Sequence, residues 1–426
     1  MEPARPLKHP LPPAHLPVVV AQAQPAKFLA GVLTLMEENL PVVLANPHWG
    51  EVEKAQAAAQ ITPGVWLGEK SARWPKIKAT APFDADAWAG KILIPTGGSG
   101  GRVRWAVHTW RTLAAAAKAL GEFLEVEGCM HVSTLPPWHV SGLMPAVRAV
   151  ETGGTLWLED WKNLEAGLPP ATPPEQAVIS LVPTQLQRLL RKKRVMNWLR
   201  KTRAILLGGA AAPAGLLERA RELRLPLALA YGLTETAAVV AMQKPADFLA
   251  GKPPSFTPLP HAKIWIGDDA ARPLPLGQQG RIWIQASSLF SGYYPAIRKS
   301  GPFGTEDFGV LNARGRVIPL GRLDRAIITG GEKVNPNAIE KQIRATGLVK
   351  EVRVLGLPDA EWGERVAAVY SGKAQSAKKL RAALRGRLAP EAMPKTWLHT
   401  KSLTLSRSSA SDKASWGARR IARRPR

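Results

Sequence analysis

A chain of 426 residues is too long for one compact core and points to two or three domains, while 45% hydrophobic and 21% charged residues exclude a disordered polymer. The single cysteine, Cys129, excludes an internal disulfide framework and any cysteine-based zinc site, and fits a reducing compartment. The net charge of +25 admits polyanionic partners, whether nucleic acid, anionic membrane or phosphate-bearing ligands. Lysines and arginines are spread along much of the chain, with a dense cluster only at Arg419, Arg420, Arg423, Arg424 and Arg426, so a solvated basic surface is favoured over a nucleic-acid footprint.

At the N-terminus Arg5 and Lys8 precede a short apolar run, Leu16–Ala21, which Pro17 interrupts. It is too short for a signal-peptide core and reads as an extended lead-in. The longest uncharged stretch, Gly128–Val147, holds His131, His139 and three prolines, which exclude a spanning helix, so a cytoplasmic location is expected. From Lys91 the chain alternates short β-rich runs with helical ones. Strand Lys91–Ile94 and a glycine loop lead to helix Thr109–Gly121. Strands Thr155–Leu158 and Ala177–Val182, a helix from Pro183 to about Lys192, strand Ala204–Leu207, helix Pro213–Leu223 and strand Leu225–Ala230 follow. This alternation predicts an α/β fold with parallel sheets flanked by helices.

After Lys244, Ala262–Ile266 and Gly280–Gln285 read as strands without helices between them, giving a β subdomain at about 245–320. Beyond Arg322 the pattern is α+β: Val334–Thr346, Val352–Leu357, Val366–Tyr370 and Ala377–Leu388. The boundary falls at Asp324, giving a large N-terminal domain (1–323) and a small C-terminal one (324–426). The Arg- and Ser-rich tail after Lys413 is expected to be poorly ordered.

Four segments carry chemistry. Pro95–Arg104 is a glycine and hydroxyl loop after a strand, whose backbone N–H groups could cradle phosphates; a flexible surface turn is the alternative. Ala230–Thr236 presents Tyr231, Thr234 and Glu235 together, suited to stacking on a base, bonding a phosphate and holding a Mg²⁺, or else simply capping a helix. Phe303–Gly309 offers Asp307 for ribose hydroxyls. Gly321–Arg325 offers Arg322 for sugar or phosphate, and Ile327–Gly331 ends in a glycine pair.

The order and content of these segments resemble the adenylate-forming family of acyl-CoA synthetases, luciferases and peptide-synthetase adenylation domains. Ser291–Tyr294 and Gly356–Glu364 fall where that family has similar elements. Within it, Trp138–Met144, Ser180–Leu190, Leu207–Ala211, His108–Trp110 and Phe248–Gly251 look like the o-succinylbenzoate–CoA ligase branch of quinone biosynthesis.

The resemblance implies ATP, Mg²⁺ and coenzyme A as ligands, and a carboxylic acid converted first to its acyl-AMP and then to its thioester. It also implies roles. Thr96, Gly97, Gly98, Ser99, Gly100 and Gly101 would hold the β- and γ-phosphates. Gly209, Ala210, Ala211 and Tyr231, with Gly232 beside it, would flank the adenine. Thr234 would contact the α-phosphate and Glu235 the metal, while Asp307 and Arg322 would bind ribose. Asp324 would be the hinge of a mobile C-terminal domain that brings Gly330 and Gly331 toward coenzyme A. His139 would sit beside the acyl pocket, or be a core histidine. Arg188 would pair with a second substrate carboxylate, or be a plain surface residue.

Two departures stand out. The family's Pro-Lys pair after the phosphate loop is Val103-Arg104 here. Its terminal Gly-Lys pair, whose lysine serves adenylation, is Asp412-Lys413, with Lys401 as the rival lysine. Three readings follow: an o-succinylbenzoate–CoA ligase, another aryl- or acyl-CoA ligase, or a basic nucleic-acid-binding protein on an inactive ligase scaffold.

Overall fold

The computed structural model describes residues 17–77, 79, 84, 87–97, 103–298, 300–322, 327–329, 332–334, 336–359, 363–385, 387–388 and 392–400. Two large sheets and two smaller ones account for the strands.

The first large sheet has the spatial order Gly292–Tyr293, Val103–Thr109, Lys91–Gly97, Val42–Leu44, Val18–Ala21, Val65–Gly68. Its last four strands are parallel, and the Lys91–Gly97 and Val103–Thr109 strands form an antiparallel hairpin. The second sheet runs Thr257–Pro258, Ala238–Gln243, Leu227–Leu233, Ala204–Leu207, Ala177–Leu181, Met130–Ser133, Thr155–Leu158; the last five are parallel.

The expected extended lead-in is a correction: Val18–Ala21 is an inner strand whose four residues are fully buried. An unbroken apolar run bonded on both sides is what a buried parallel strand requires. The expected helix from Pro183 to Lys192 also differs. It ends at Leu189, and a separate helix, Lys193–Arg200, follows.

Two helices fill the space between the large sheets. Trp110–Leu124 starts on a capping box made by Thr109 and Thr112, then runs through alanine and leucine, both strong helix formers. Its Leu113, Ala116 and Ala117 face the first sheet, whereas Ala119, Leu120 and Leu124 meet Val178, Ala204, Leu206 and Ala228 of the second. Val140–Glu151 packs alongside through Leu143, Met144 and Val147. Its Gly142 is required by contact, because a Cβ there would lie 2.1 Å from the Pro136 carbonyl oxygen. A helix buried on both sides explains the long uncharged stretch without a membrane, and no described helix is long and apolar enough to cross one.

From Ala262 to Arg322 the strands are antiparallel. Ala262–Gly267, Gly280–Ala286, Phe303–Leu311 and Val317–Arg322 form a four-stranded sheet. The strand Ala238–Gln243 and helix Pro245–Leu249 before it belong with the second large sheet. The last sheet joins Ile327–Thr329, Glu332–Val334, Glu351–Asp359, Gly363–Ser371 and Thr396–His399, packed on helices Pro336–Ala345 and Ala377–Leu384.

Candidate active site

A cavity of about 430 Å³ opens at the carboxyl ends of the parallel strands of the second sheet. Loops there carry residues forward while the strands hold their backbones, which is where open α/β sheets bind ligands. The floor comes from Ser180, Leu181, Val182, Gly208, Gly209, Ala230 and the stretch Gly232–Glu235. One wall is the hairpin, through Thr96 and Arg104, which face each other in register. The other is the antiparallel sheet, through Phe303, Glu306 and Arg322.

The Leu227–Leu233 strand owes its shape to Gly232. The register with Ala238–Gln243 shifts between Tyr231 and Gly232, and a Cβ on Gly232 would lie 1.6 Å from the Ala238 carbonyl oxygen. After this bulge the chain makes a 3₁₀ turn, Thr234–Thr236, locked by the Leu233 N–H donating to Thr236 Oγ1 at 2.9 Å. His108, fully buried, holds the turn from behind, its Nε2 lying 2.8 Å from the Thr234 carbonyl oxygen. A carbonyl only accepts, so Nε2 carries the proton. Burial lowers this imidazole to about 4, against which the Thr234 bond works, so the ring is neutral at physiological pH.

Glu235 is 7% exposed and lines the cavity; its carboxylate accepts from the Tyr293 hydroxyl, over whose ring the Arg104 guanidinium lies. Tyr231 donates to Asp307 Oδ2 at 2.9 Å, tying the second sheet to the antiparallel one. Burial, then the Asp307 charge, raises the Tyr231 phenol well above its ordinary value, so it stays a donor. Asp307 pairs in register with Arg322, which brings both to the cavity's edge.

The opposite end is apolar, with Leu135, Val140, Met144, Leu181 and Val239. Into it points Arg148, 3% exposed, with one guanidinium N–H donating to Ser180 Oγ at 3.1 Å and Nε without a partner. No acidic side chain among the described residues pairs with it. Burial lowers its guanidinium to about 10, which leaves it charged. His131 lies behind, neutral, lowered to about 3 by burial and then by the Arg148 charge.

Thr96, Gly209, Gly232, Thr234, Glu235, Arg322 and His139 therefore meet in one cavity, with Tyr231 and Asp307 bonded at its margin. Ala210 and Ala211 lie exposed just past Gly209, outside the lining. Arg188 is a correction. It is outside the cavity, on the surface, 3.1 Å from Glu165, because the helix Pro183–Leu189 turns Leu186 and Leu189 inward and Arg188 out. Gly98, Ser99, Gly100, Gly101, Asp324, Gly330, Gly331, Lys401 and Lys413 lie outside the described residues. Sequence reasoning missed Arg148, Ser180, Glu306 and Tyr293. The available signal for Arg148 was a single charge inside the apolar run Leu143–Val150.

A cavity of about 430 Å³ with a glycine-lined floor and a buried acid on a strand-end turn has the features a nucleotide-binding site requires. Residues 5–294 match the family of AMP-binding enzymes, and the chain belongs to it. It is 33% identical to 2-succinylbenzoate–CoA ligase of Salmonella typhimurium over 75% of this chain and 67% of the relative. It is 32% identical to the Escherichia coli enzyme of the same name over 71% of this chain and 63% of that one. The chain thus spans about two thirds of the length of these relatives. Its fold is that of o-succinylbenzoate CoA synthetase from Bacillus subtilis, solved with its acyl-adenylate intermediate, at a TM-score of 0.72 and 24% identity over 91% of this chain and 84% of that one.

Proposed function

We propose that this chain is an AMP-forming acid–thiol ligase that converts o-succinylbenzoate to its acyl adenylate and then to its coenzyme A thioester, in menaquinone or phylloquinone biosynthesis. The observation that carries the substrate is Arg148. A buried guanidinium that has no carboxylate partner among the described residues and is aimed into an apolar pocket is costly unless a ligand supplies the anion. O-succinylbenzoate has two carboxylates. One is activated at the polar end, and the other is free to pair with Arg148. The ligases of Salmonella and Escherichia coli named above support the same substrate.

In this reading Thr96, with Gly97 to Gly101 beyond it, cradles the β- and γ-phosphates, and Gly209 to Ala211 and Tyr231 flank the adenine. Thr234 contacts the α-phosphate, and Asp307 and Arg322 take the ribose hydroxyls. The acid's carboxylate oxygen attacks the α-phosphorus and the bond to pyrophosphate breaks. The coenzyme A sulfur then attacks the acyl carbon and AMP leaves. His139, at the start of the helix carrying Arg148, lies beside the acyl group. The residues fit a Mg²⁺ ion: one buried carboxylate, Glu235, with hydroxyls beside it, and no cluster of three metal-ligating side chains among the described residues. Mg²⁺ takes one or two carboxylates and fills its shell with phosphates and water. When bound, it neutralises charge on the phosphates.

The C-terminal part, from the hinge Asp324, rotates between the half-reactions. It presents Lys413 for adenylation and Gly330–Gly331 for thioester formation. The reaction is placed in the cytoplasm, where ATP and coenzyme A are available. A pyrophosphate-release assay over aromatic and aliphatic acids, with and without coenzyme A, tests the proposal. O-succinylbenzoate is expected to be turned over well above benzoate or a medium-chain fatty acid. Equal turnover would leave an acyl-CoA ligase of other specificity, and no release with any acid would leave neither.

A further inference from the structure

Arg104, Tyr293 and Glu235 form a chain of contacts across the cavity that the roles above do not use. Each arrives on a different segment: the hairpin strand Val103–Thr109, the short strand Gly292–Tyr293, and the turn Thr234–Thr236. The Tyr293 hydroxyl donates to Glu235 Oε1, and the Arg104 guanidinium carbon lies 4.4 Å from the centre of the Tyr293 ring.

Tyr293 is no loose surface ring. Its strand pairs with Ala106 and Val107, and the Ser291 and Tyr294 N–H groups donate to the carbonyls of Val107 and Trp105 at 2.7 and 3.0 Å. Gly292 sets the approach. Its φ is +138°, and a Cβ there would lie 2.5 Å from the Ala296 carbonyl oxygen. Phe290 packs edge-on against Tyr293 at 4.9 Å, and its N–H donates to the Glu235 carbonyl at 2.9 Å. The same short segment therefore grips both the backbone and the carboxylate of Glu235.

The phenol is the donor of its bond to Glu235 and the carboxylate the acceptor. Arginine suits the other end of the chain. A planar guanidinium stacks on an aromatic face, which a lysine ammonium does less well. Arg104 stands opposite Thr96, next to the phosphate loop.

We propose that Tyr293 is a positioning residue for the metal-holding carboxylate. It occupies Glu235 Oε1 and leaves Oε2 as the oxygen offered to the cation, while Arg104 holds the phenol in place from the phosphate-loop side. The inference rests on the reading that Glu235 holds Mg²⁺ with the nucleotide. Hydrogen-bond partners that orient a ligating carboxylate are worth about 10–100-fold in metal affinity.

The test is calorimetric binding of ATP to the full chain across a Mg²⁺ series, with no acid or coenzyme A present. Tyr293→Phe, which keeps the ring and its packing, is expected to raise the Mg²⁺ concentration for half-maximal enhancement of ATP binding about 10–100-fold. Arg104→Lys, which keeps the charge but loses the planar stack, is expected to shift it the same way by less. A half-maximal Mg²⁺ concentration in Tyr293→Phe within twofold of the wild type overturns the proposal, because the phenol is then only packing. A lower concentration also overturns it, because the phenol is then a competitor for the metal's oxygen. Arg104→Lys matching the wild type removes Arg104 from the chain. If the wild type itself shows no Mg²⁺-dependent ATP binding, the nucleotide reading of the site falls as well, a result distinct from an unshifted variant.

Discussion

Arg148 and Arg188 are both arginines in helices rich in apolar residues, and their fates differ completely. The first is 3% exposed in the cavity, and the second is a surface partner of Glu165. A charge-assisted bond in a dry pocket is worth about 1.5–3 kcal/mol. Arg148→Leu is therefore expected to raise KM for o-succinylbenzoate about 10–150-fold while leaving KM for ATP within about twofold. Arg188→Ala should match the wild type in both, as exposed ion pairs contribute little. Steady-state kinetics of the two variants side by side checks the assignment, and an Arg188→Ala defect specific to the acid would reverse it. His108 adds a pH signature. Its folded imidazole titrates at about 4, against an ordinary 6.5. As pH falls from 6.5 the unfolded chain takes up this proton first, so stability declines down to about pH 4 and the contribution is constant below. The His108 share is on the order of 3 kcal/mol. His131 and His261 are lowered too, so the share must be isolated by comparison. His108→Gln should flatten the pH dependence of denaturant midpoints between pH 4 and 6.5 relative to wild type.

At the scale of elements, the site depends on one irregular strand. The bulge at Gly232 turns Leu227–Leu233 so that Thr234 and Glu235 reach the cavity, while Tyr231 swings to Asp307. The glycine is a packing requirement before it is a ligand contact, since its missing Cβ would overlap the backbone of the neighbouring strand. Gly232→Ala is expected to cost more than about 3 kcal/mol of unfolding free energy, because backbone must move rather than a flexible side chain. Denaturant unfolding reads this directly, and a loss under about 1 kcal/mol would show that the strand pair yields easily. The strand Val18–Ala21 teaches a related lesson. Read locally, Pro17 and the short run made it a lead-in, yet it carries parallel partners on both sides. A six-residue apolar run says that burial is wanted, and only the strands that arrive later in the chain supply the partners.

For the molecule as a whole, the proposed division of labour between half-reactions gives the sharpest test of the proposed Lys413 role. If Lys413 serves only the adenylation arrangement, Lys413→Ala should lose about 10²–10³ in acyl-AMP formation from acid and ATP. It should still convert supplied acyl-AMP and coenzyme A to thioester near the wild-type rate, and Lys401→Ala should do neither harm. Half-reaction assays of both variants decide it, and equal impairment of both steps by Lys413→Ala would remove the role. The reading of a single dense basic cluster at the C-terminus is also a correction. Besides the C-terminal cluster, Arg188–Arg203 carries Arg188, Arg191, Lys192, Lys193, Arg194, Arg200, Lys201 and Arg203 without a single acid. None of these eight residues lines the cavity.

The order of chemistry along the chain was legible in its residues. The strand–helix alternation gave the parallel sheets, and the order of the Tyr-Gly-x-Thr-Glu turn at Tyr231–Glu235 and the Asp307 and Arg322 segments carried the resemblance to adenylating enzymes, because short motifs and local backbone needs are written in neighbouring residues. Tertiary structure alone decided which groups share the cavity. Tyr293 meets Glu235 across 58 positions, and Tyr231 meets Asp307 across 76. Whether Arg148 or Arg188 enters the cavity depends on how each helix is rotated against its sheet. That rotation is set by packing against residues far away in the chain, and a helix's own periodicity carries no information about it.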